Sequence, residues 1–450
     1  MRGAAAASAL LLGACATVPP DRGFATVQTE LAQRGEPAIP APADDDAGAL
    51  ADRILLQGPL TADGAVHIAL LRNPRLRAEY ARLGIGAAEV YDAGRLANPS
   101  IGGSAMITRS PDRVDRYDFG ITQNFVDLLL LPARKRLAAA EFARTEEQAG
   151  GAIVELSAET RAAYYQLVAA QQTAELRERA AAAADASAQL TQRYVDAGNI
   201  PPLALDLERA EDAEAGIEAL AARNTAALAR AALSRLLGIS EDRADWQAPA
   251  RLPDPPASDD DEVALQALAQ TGRLDLRAAR EEVAAREDAE RVARSSRWIG
   301  GAEFGVQGER DTDRTHLLGP SASAQIPLFN QGQGTVLRAQ AQLELGRAQL
   351  AELELDVGQS IHSARLRLGS ARELVERYDR DLLPLRARIV EQTQQQANFM
   401  LSGPFELIRA KRQEYDTGAR AIEALRDYWE ARVDLSRAVG TRLPSESEKP

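Results

Sequence analysis

The sequence predicts a mainly α-helical protein with membrane β-strands, built from a duplicated helix–strand–strand–long helix–turn–helix unit. Three observations predict it. The landmarks of the first half return in the second at a separation of about two hundred residues, too long for a small solenoid module. Two stretches run for many turns without a helix breaker, and four short segments alternate apolar and polar residues. The repeat is explicit in the residues. Leu76-Arg77-Ala78 returns as Leu276-Arg277-Ala278, and Ile101-Gly102-Gly103 as Ile299-Gly300-Gly301. Gln123 and Phe125 find partners at Gln325 and Pro327, Pro202 falls opposite Pro404, and Leu237-Gly238-Ile239 falls opposite Val439-Gly440-Thr441.

The first residues read as a targeting segment rather than fold. Arg2 gives a minimal positive start, Ala4 to Leu12 an apolar run too short to span a bilayer as a mature helix, and Leu12-Gly13-Ala14-Cys15 resembles a bacterial lipobox. Residues 1–15 are therefore expected to be a lipoprotein signal peptide, with Cys15 as the lipidated residue. The Ala16 that follows it implies the outer membrane. Cys15 is the one cysteine of the chain, which excludes an intramolecular disulfide. Residues 16–59 are rich in Pro, Ala and Asp and read as a tether.

The first repeat is expected over 60–239. A helix from Asp63 to Arg95 precedes its strands. After them, Pro132 to Pro201 contains no interior proline. At 1.5 Å per residue such a helix reaches about 95 Å. It closes at Asp196-Ala197-Gly198-Asn199-Ile200-Pro201-Pro202, where Gly and Asn suit the left-handed cap and Pro the first turn of the returning helix, Leu203 to Leu237. A linker, 240–261, leads to the second repeat at 262–443. The acidic run Asp259-Asp260-Asp261-Glu262 reads as a solvated helix N-terminus rather than a metal site. The helix it opens extends to Arg297.

In the second repeat the long helix shows its seam. Leu343, Leu350, Val357, Ala364, Ala371, Tyr378 and Leu385 recur at every seventh position, and Ile361, Leu368, Val375, Leu382 and Ile389 fill the interleaved row. That is coiled-coil packing. Pro384 interrupts it, costs about 3 kcal/mol in a regular helix and predicts a break near Leu383. The turn Met400-Leu401-Ser402-Gly403-Pro404 then reverses the chain into Phe405 to Val439, and 444–450 is a polar tail.

Strands are expected at about 100–125 and 302–329. Ile101, Gly103, Ala105 and Ile107 alternate with Gly102, Ser104 and Met106; Tyr117, Phe119, Ile121 and Phe125 alternate with Asp118, Gly120, Thr122 and Asn124. Phe304 and Val306 flank Gly305, and Ala322, Ala324, Ile326 and Leu328 alternate with Ser321, Ser323, Gln325 and Pro327. Each is about the length of a transmembrane β-strand. A soluble pair of hairpins capping a helical bundle would show the same alternation. In lipid, four strands would leave two unpaired edges, and they are too few to close a useful bore, so several chains would have to share one barrel.

Composition excludes other classes. The net charge of −13 leaves no basic stripe for nucleic acid. His67, His316 and His362 lie far apart, and no Cys/His cluster has metal-ligand spacing. There is no phosphate loop and no nucleophile–base pair, so no enzyme, cofactor or metal is expected.

Three segments carry a family resemblance: Ala69-Leu70-Leu71-Arg72-Asn73-Pro74-Arg75-Leu76, Gly94-Arg95-Leu96-Ala97-Asn98-Pro99, and Ile326-Pro327-Leu328-Phe329-Asn330-Gln331-Gly332. With the Gly198-Asn199 turn they make the chain resemble the TolC family of outer-membrane efflux ducts from about residue 50 to 443. The lipobox and the Pro-Leu-Phe-Asn segment resemble its lipoprotein branch, which serves resistance-nodulation-division pumps. The resemblance implies a homotrimer, with a coiled-coil α-barrel and a shared twelve-stranded β-barrel in outer-membrane lipid. It implies as partners a periplasmic adaptor (membrane fusion) protein and an inner-membrane efflux transporter. Docking to the adaptor would fall to the hairpin tips, here Gly198, Asn199, Leu401, Ser402 and Gly403. The family narrows its tunnel mouth with acidic residues just past the second tip. Glu406 matches one such position, whereas Arg409 replaces the next acid. Two rival readings stay open: a periplasmic adaptor, which would have one hairpin flanked by compact β-rich domains, and a lipid-anchored structural coiled coil without a pore.

Overall fold

A computed structural model describes residues 21–37, 47–107, 109, 112–240, 246–298 and 301–444, without the side chains of 47 and 125–129. The lipobox with Cys15, the Ile299-Gly300 landmark and the residues from 445 onward lie outside that description. In chain order the elements are α1 (Phe24–Gln33), α2 (Ala47–Leu56), α3 (Ala62–Arg72), α4 (Pro74–Ala93), β1 (Ser100–Met106), β2 (Arg116–Asn124), α5 (Phe125–Asp196) and α6 (Pro202–Leu237). The second half follows as α7 (Glu262–Gly272), α8 (Leu274–Ser296), β3 (Ala302–Arg310), β4 (His316–Ala324), α9 (Gln333–Arg377), a π turn (Tyr378–Leu382), α10 (Leu383–Asn398) and α11 (Pro404–Val439). No helix of the described residues is long and apolar enough to cross a membrane. The chain divides into two compact units, one drawn from Met1–Val27, Tyr80–Ala149 and Leu274–Glu354, the other from Gln28–Glu79, Gly150–Arg273 and Leu355–Pro450.

In the first unit the strands form one antiparallel sheet in the order β1–β2–β3–β4. Pairing of β2 with β3, Ile121 opposite Val306 and Thr122 opposite Gly305, joins the hairpins of the two repeats. Residues directly opposite share a face, so the register sorts the side chains. Ile101, Phe119, Ile121, Phe304, Val306 and Leu318 fall on one face, and Ser104, Asp118, Thr122, Gln307, Glu309 and Ser321 on the other. Some expected strand residues lie elsewhere. Phe125 opens α5, and Ile326 and Leu328 turn away beyond β4, with the Leu328 amide donating to the Ile326 carbonyl at 2.9 Å. Helix α5 thus starts before Pro132 and runs through it, leaving one backbone carbonyl of the early turns without a helical donor. Charged ladders tie the helices of this unit, among them Arg144–Glu282 at 3.4 Å, Arg347–Glu287 at 2.6 Å and Arg280–Glu354 at 3.1 Å.

The second unit repeats its own joints. Each helix expected to run unbroken ahead of the strands breaks once, at Asn73 and at Arg273, both with extended backbone. At Asn73 the following Pro74 disfavours helical geometry. Both break residues then cap a returning helix: Asn73 Nδ2 donates to the Leu236 carbonyl at 2.8 Å, and Arg273 Nη1 to the Ala438 carbonyl at 2.6 Å. Thr61 and Asp261 cap the N-termini of α3 and α7. Gly238 and Gly440 end α6 and α11 in left-handed conformation, where a Cβ would strike the Arg72 carbonyl and the Arg273 side chain.

Along α9 the expected seam is buried at Leu343, Val357, Ile361, Ala364, Leu368 and Val375. It then loosens, and Leu385 is exposed. The break predicted from Pro384 is the π turn directly before it, in which the Leu383 amide reaches back to the Tyr378 carbonyl. A wide turn of this kind redirects a helix without ending it.

Two readings of the sequence need correction. The stretch 16–59 is not only a tether, since its described part contains α1 and α2, with Val27, Leu31 and Ala51 buried. Within the second unit Arg34 donates to the Gly272 carbonyl at 2.7 Å, and Glu36 pairs with the buried Arg161 at 3.2 Å. The run Asp259–Glu262 is not wholly solvated either. Asp261 is the expected cap, but the Asp259 side chain is buried, accepting from Arg372 Nε at 2.7 Å and from the Tyr428 hydroxyl at 3.0 Å, with Arg432 Nη1 3.6 Å away. Burial alone would raise the Asp259 carboxyl. The hydrogen bonds from Arg372 and Tyr428 and the charges of Arg372 and Arg365 outweigh it and hold its pKa below the usual carboxylate range. Burial pushes the Tyr428 hydroxyl up to about 12, which keeps it a neutral donor.

Candidate functional site

The candidate docking site is built by two helical hairpins of the second unit. Their order is fixed by side chains: Arg177 of α5 pairs with Glu218 of α6 at 3.0 Å and with Asp416 of α11 at 2.5 Å. Tyr165 stacks on Trp429 with centroids 4.9 Å apart, and Arg386 of α10 donates to Gln413 of α11 at 2.7 Å. The helices therefore lie as α6, α5, α11, then α9 with α10. At the tips, Tyr194 and Phe405 pack with centroids 5.9 Å apart, so the two reversals stand side by side.

The predicted tip residues are brought together here, with one change of role. Gly198 takes φ +74, its amide donates to the Val195 carbonyl at 2.8 Å, and the Asn199 amide donates to Tyr194 at 2.9 Å. The same two bonds recur one repeat later, from Met400 to Ala397 at 3.0 Å and from Leu401 to Gln396 at 2.9 Å. The left-handed residue of the second tip is thus Met400, φ +58, and not Gly403, which is an extended N-cap at φ −82. Residue type gave no signal for Met400; only its register with Gly198 could have found it. Met400 is 93% exposed and Leu401 78%, and with Phe399 they form an uncovered apolar knob.

Just behind the tips lies a cavity of about 400 Å³ lined by Glu208, Glu211, Arg409, Arg412 and Asp416 among others. Arg412 pairs with Glu211 across it, and the Ser187 hydroxyl donates to Glu208 at 2.7 Å. Arg409 lines this acid-rich space. Glu406, one turn earlier, is exposed and is not among the lining residues. The inter-hairpin ion pairs at Arg177 and Arg412 escaped the sequence reading, because surface helix charges carry no mark of which partner they will meet.

Both flanks of this helical set present apolar side chains to solvent. On α6 these are Leu203, Leu207, Ile217, Leu220 and Leu228, and on α9 and α10 they include Leu355, Leu366, Leu374 and Leu385. The sheet of the first unit is open in the same sense, since β1 and β4 have no strand on their outer sides among the described residues.

Residues 65–239 match the family model of the outer membrane efflux proteins. Among solved structures, a membrane protein from Pseudomonas aeruginosa is 18% identical at a TM-score of 0.69, covering 84% of this chain and 93% of that one. The outer membrane protein VceC of Vibrio cholerae is 16% identical at 0.69, over 85% of this chain and 96% of that one. The MtrE outer membrane channel of Neisseria gonorrhoeae, in its open state, is 16% identical at 0.68, over 87% and 91%. No curated protein matches. At these identities the solved structures speak for the fold, which they share over nearly their whole length, and the family model identifies the first repeat. The first repeat thus matches the outer membrane efflux proteins, and the chain has the fold of the solved outer-membrane channels.

Proposed function

We propose that this chain is one third of a passive exit duct in the outer membrane, the last component of a tripartite efflux pump. The observation that carries the reading is the pair of matched open edges. A sheet with an apolar and a polar face, uncovered at β1 and β4, is suited to lipid only when further copies close it. The helical set ends in apolar flanks on α6 and on α9–α10. Because these flanks differ, a contact between them is heterologous, and a heterologous contact gives a ring where its rotation closes. Three copies of four strands give a barrel of twelve. An adaptor with one hairpin would need neither edge, and a structural coiled coil would not need the sheet.

The finer assignments follow from this reading. Cys15 carries the lipid anchor. Gly198, Asn199, Leu401, Ser402 and Gly403, together with Met400, form the surface for the periplasmic adaptor, which links the duct to the inner-membrane transporter. Glu406 and Arg409 belong to the tunnel mouth. The duct moves drugs or metal ions without a chemical step of its own.

A disulfide test addresses the shared-ring claim. Arg177 levels Glu218 with Asp416, and Arg386 reaches Gln413, so Ile217 on one flank and Leu385 on the other lie at the same height. Ile217→Cys with Leu385→Cys should oxidise in isolated outer membranes to a covalent ladder ending at trimer. Monomer alone, with both single variants folded, would contradict the proposal.

A further inference from the structure

The polar face of the sheet carries a charge pattern that conduction alone does not require. The register sets Asp118 directly opposite Glu309 across β2 and β3. Like charges in directly opposed positions destabilise a sheet. Arg116, two residues from Asp118 on the same face, answers both. Its Nη2 lies 2.9 Å from Glu309 Oε1, and its Nε donates to Asp118 Oδ1 at 3.5 Å, while the Ser104 hydroxyl donates to Asp118 Oδ2 at 2.8 Å. Next to this cluster the face is mostly glycine. Gly102 stands opposite Gly120, the row continues through Gln307 to Gly319, and a Cβ at Gly102 or Gly319 would meet nothing. Toward the other end of β3 the face carries the exposed Glu303. Within the strands, this face sets one cation, Arg116, against three carboxylates, Asp118, Glu303 and Glu309.

We propose that this face is the charge filter of the outer-membrane bore, and that Arg116 is the residue that sets its strength. The inference rests on the duct reading, in which three copies of the face surround water. Rings of carboxylates favour cations in such a bore, and charged walls of one sign concentrate counter-ions severalfold. Arg116 does two things at once: it relieves the repulsion between Asp118 and Glu309, and it tempers the negative field. Three of the four positions in that row are glycine, so apart from Gln307 the wall there carries no side chain, and the field more than a steric gate acts on what passes. This filter is distinct from the tunnel mouth, which is formed by other residues on helices.

The test reads the local potential with charged thiol reagents, so it does not depend on an open periplasmic mouth. Gly102→Cys is placed on the polar face and Ile101→Cys on the apolar face, with the unsubstituted chain as the blank for Cys15. Whole cells are treated with a cationic (trimethylammonium) and an anionic (sulfonate) methanethiosulfonate of similar size. Gly102→Cys should react faster with the cationic reagent by about 3- to 10-fold after normalisation to a free thiol. Adding Arg116→Ala should raise that ratio about threefold, adding Glu309→Gln should lower it, and 1 M salt should flatten both. A ratio near one, or one that Arg116→Ala and Glu309→Gln leave unmoved, overturns the filter while leaving a wet bore. A silent Gly102→Cys, or an Ile101→Cys that reacts as fast with both charged reagents, overturns the duct reading itself. If Arg116→Ala fails to assemble on an unheated gel, Glu309→Gln decides alone, since it removes a charge without leaving two acids opposed.

Discussion

Gly198 and Met400 hold the same place in the two hairpin tips, and both adopt the left-handed backbone conformation, at φ +74 and +58. Glycine does so freely. A residue with a Cβ does so at a cost of about 1–2 kcal/mol. The second tip therefore carries strain that the first does not, and it carries it on a side chain that is almost fully exposed. Strain retained at an exposed apolar residue is what a docking surface would require and what a simple reversal would not.

The first prediction separates these roles. Met400→Gly should stabilise the isolated protein by up to about 1 kcal/mol, read from its thermal unfolding. The same variant should weaken capture of the adaptor, whereas Met400→Leu should keep it. Equal capture by all three chains would remove the tip from the docking surface.

The paired joints at Asn73 and Arg273 make a second prediction. Each donates a side-chain hydrogen bond to the end of a returning helix. Asn73→Ala or Arg273→Ala leaves a helix-terminal carbonyl without its donor and should destabilise by about 1–3 kcal/mol. Because the joints are separate, the double variant should lose close to the sum in chemical denaturation.

A third prediction concerns acid. Asp259 is held ionised by Arg372, Tyr428 and Arg365 against its burial, so its pKa is lower folded than unfolded. Such a group stabilises fully above the unfolded value, about 3.9 for aspartate, and the contribution is lost as pH falls below it. The unfolding temperature should therefore drop between pH 5 and the lowest pH tolerated, and Asp259→Asn should be less stable at neutral pH with a flatter acid limb. Parallel acid limbs for the two chains would show that other carboxylates govern the loss.

The sequence disclosed the fold through its repetition. Leu76 and Leu276, Pro202 and Pro404, and Gly238 and Gly440 marked joints that the structure repeats, and the a/d seam ending at Pro384 located the π turn. Periodicity could not reveal the breaks at Asn73 and Arg273, because a helix that changes direction at one residue keeps its apolar spacing on either side. Nor could it reveal Asp259 as a buried hub, since an acid beside three others looks solvated until Arg372 and Arg432 fold onto it. The candidate site was legible as far as its turns. Its charges were not, because Arg177 and Arg412 choose partners on helices remote in sequence.

Those charges make a fourth prediction. Arg412 joins α11 to Glu211 of α6, and Arg177 joins α5 to Asp416 of α11. Arg412→Ala with Arg177→Ala should let the hairpins separate and raise conductance severalfold. Glu406→Ala should leave assembly intact and weaken block by a multivalent cation added from the periplasmic side. Unchanged block would place Glu406 on the outside of the duct.

The central claim, that several copies share one conduit, is tested most directly by single-channel recording of the purified protein in a planar bilayer, with unheated gel migration of the same sample. A trimer that gives stable conductance steps, enlarged by Arg412→Ala with Arg177→Ala, is the result expected. A monomer without conductance, or a trimer that stays silent even when those inter-hairpin ion pairs are removed, would contradict the account.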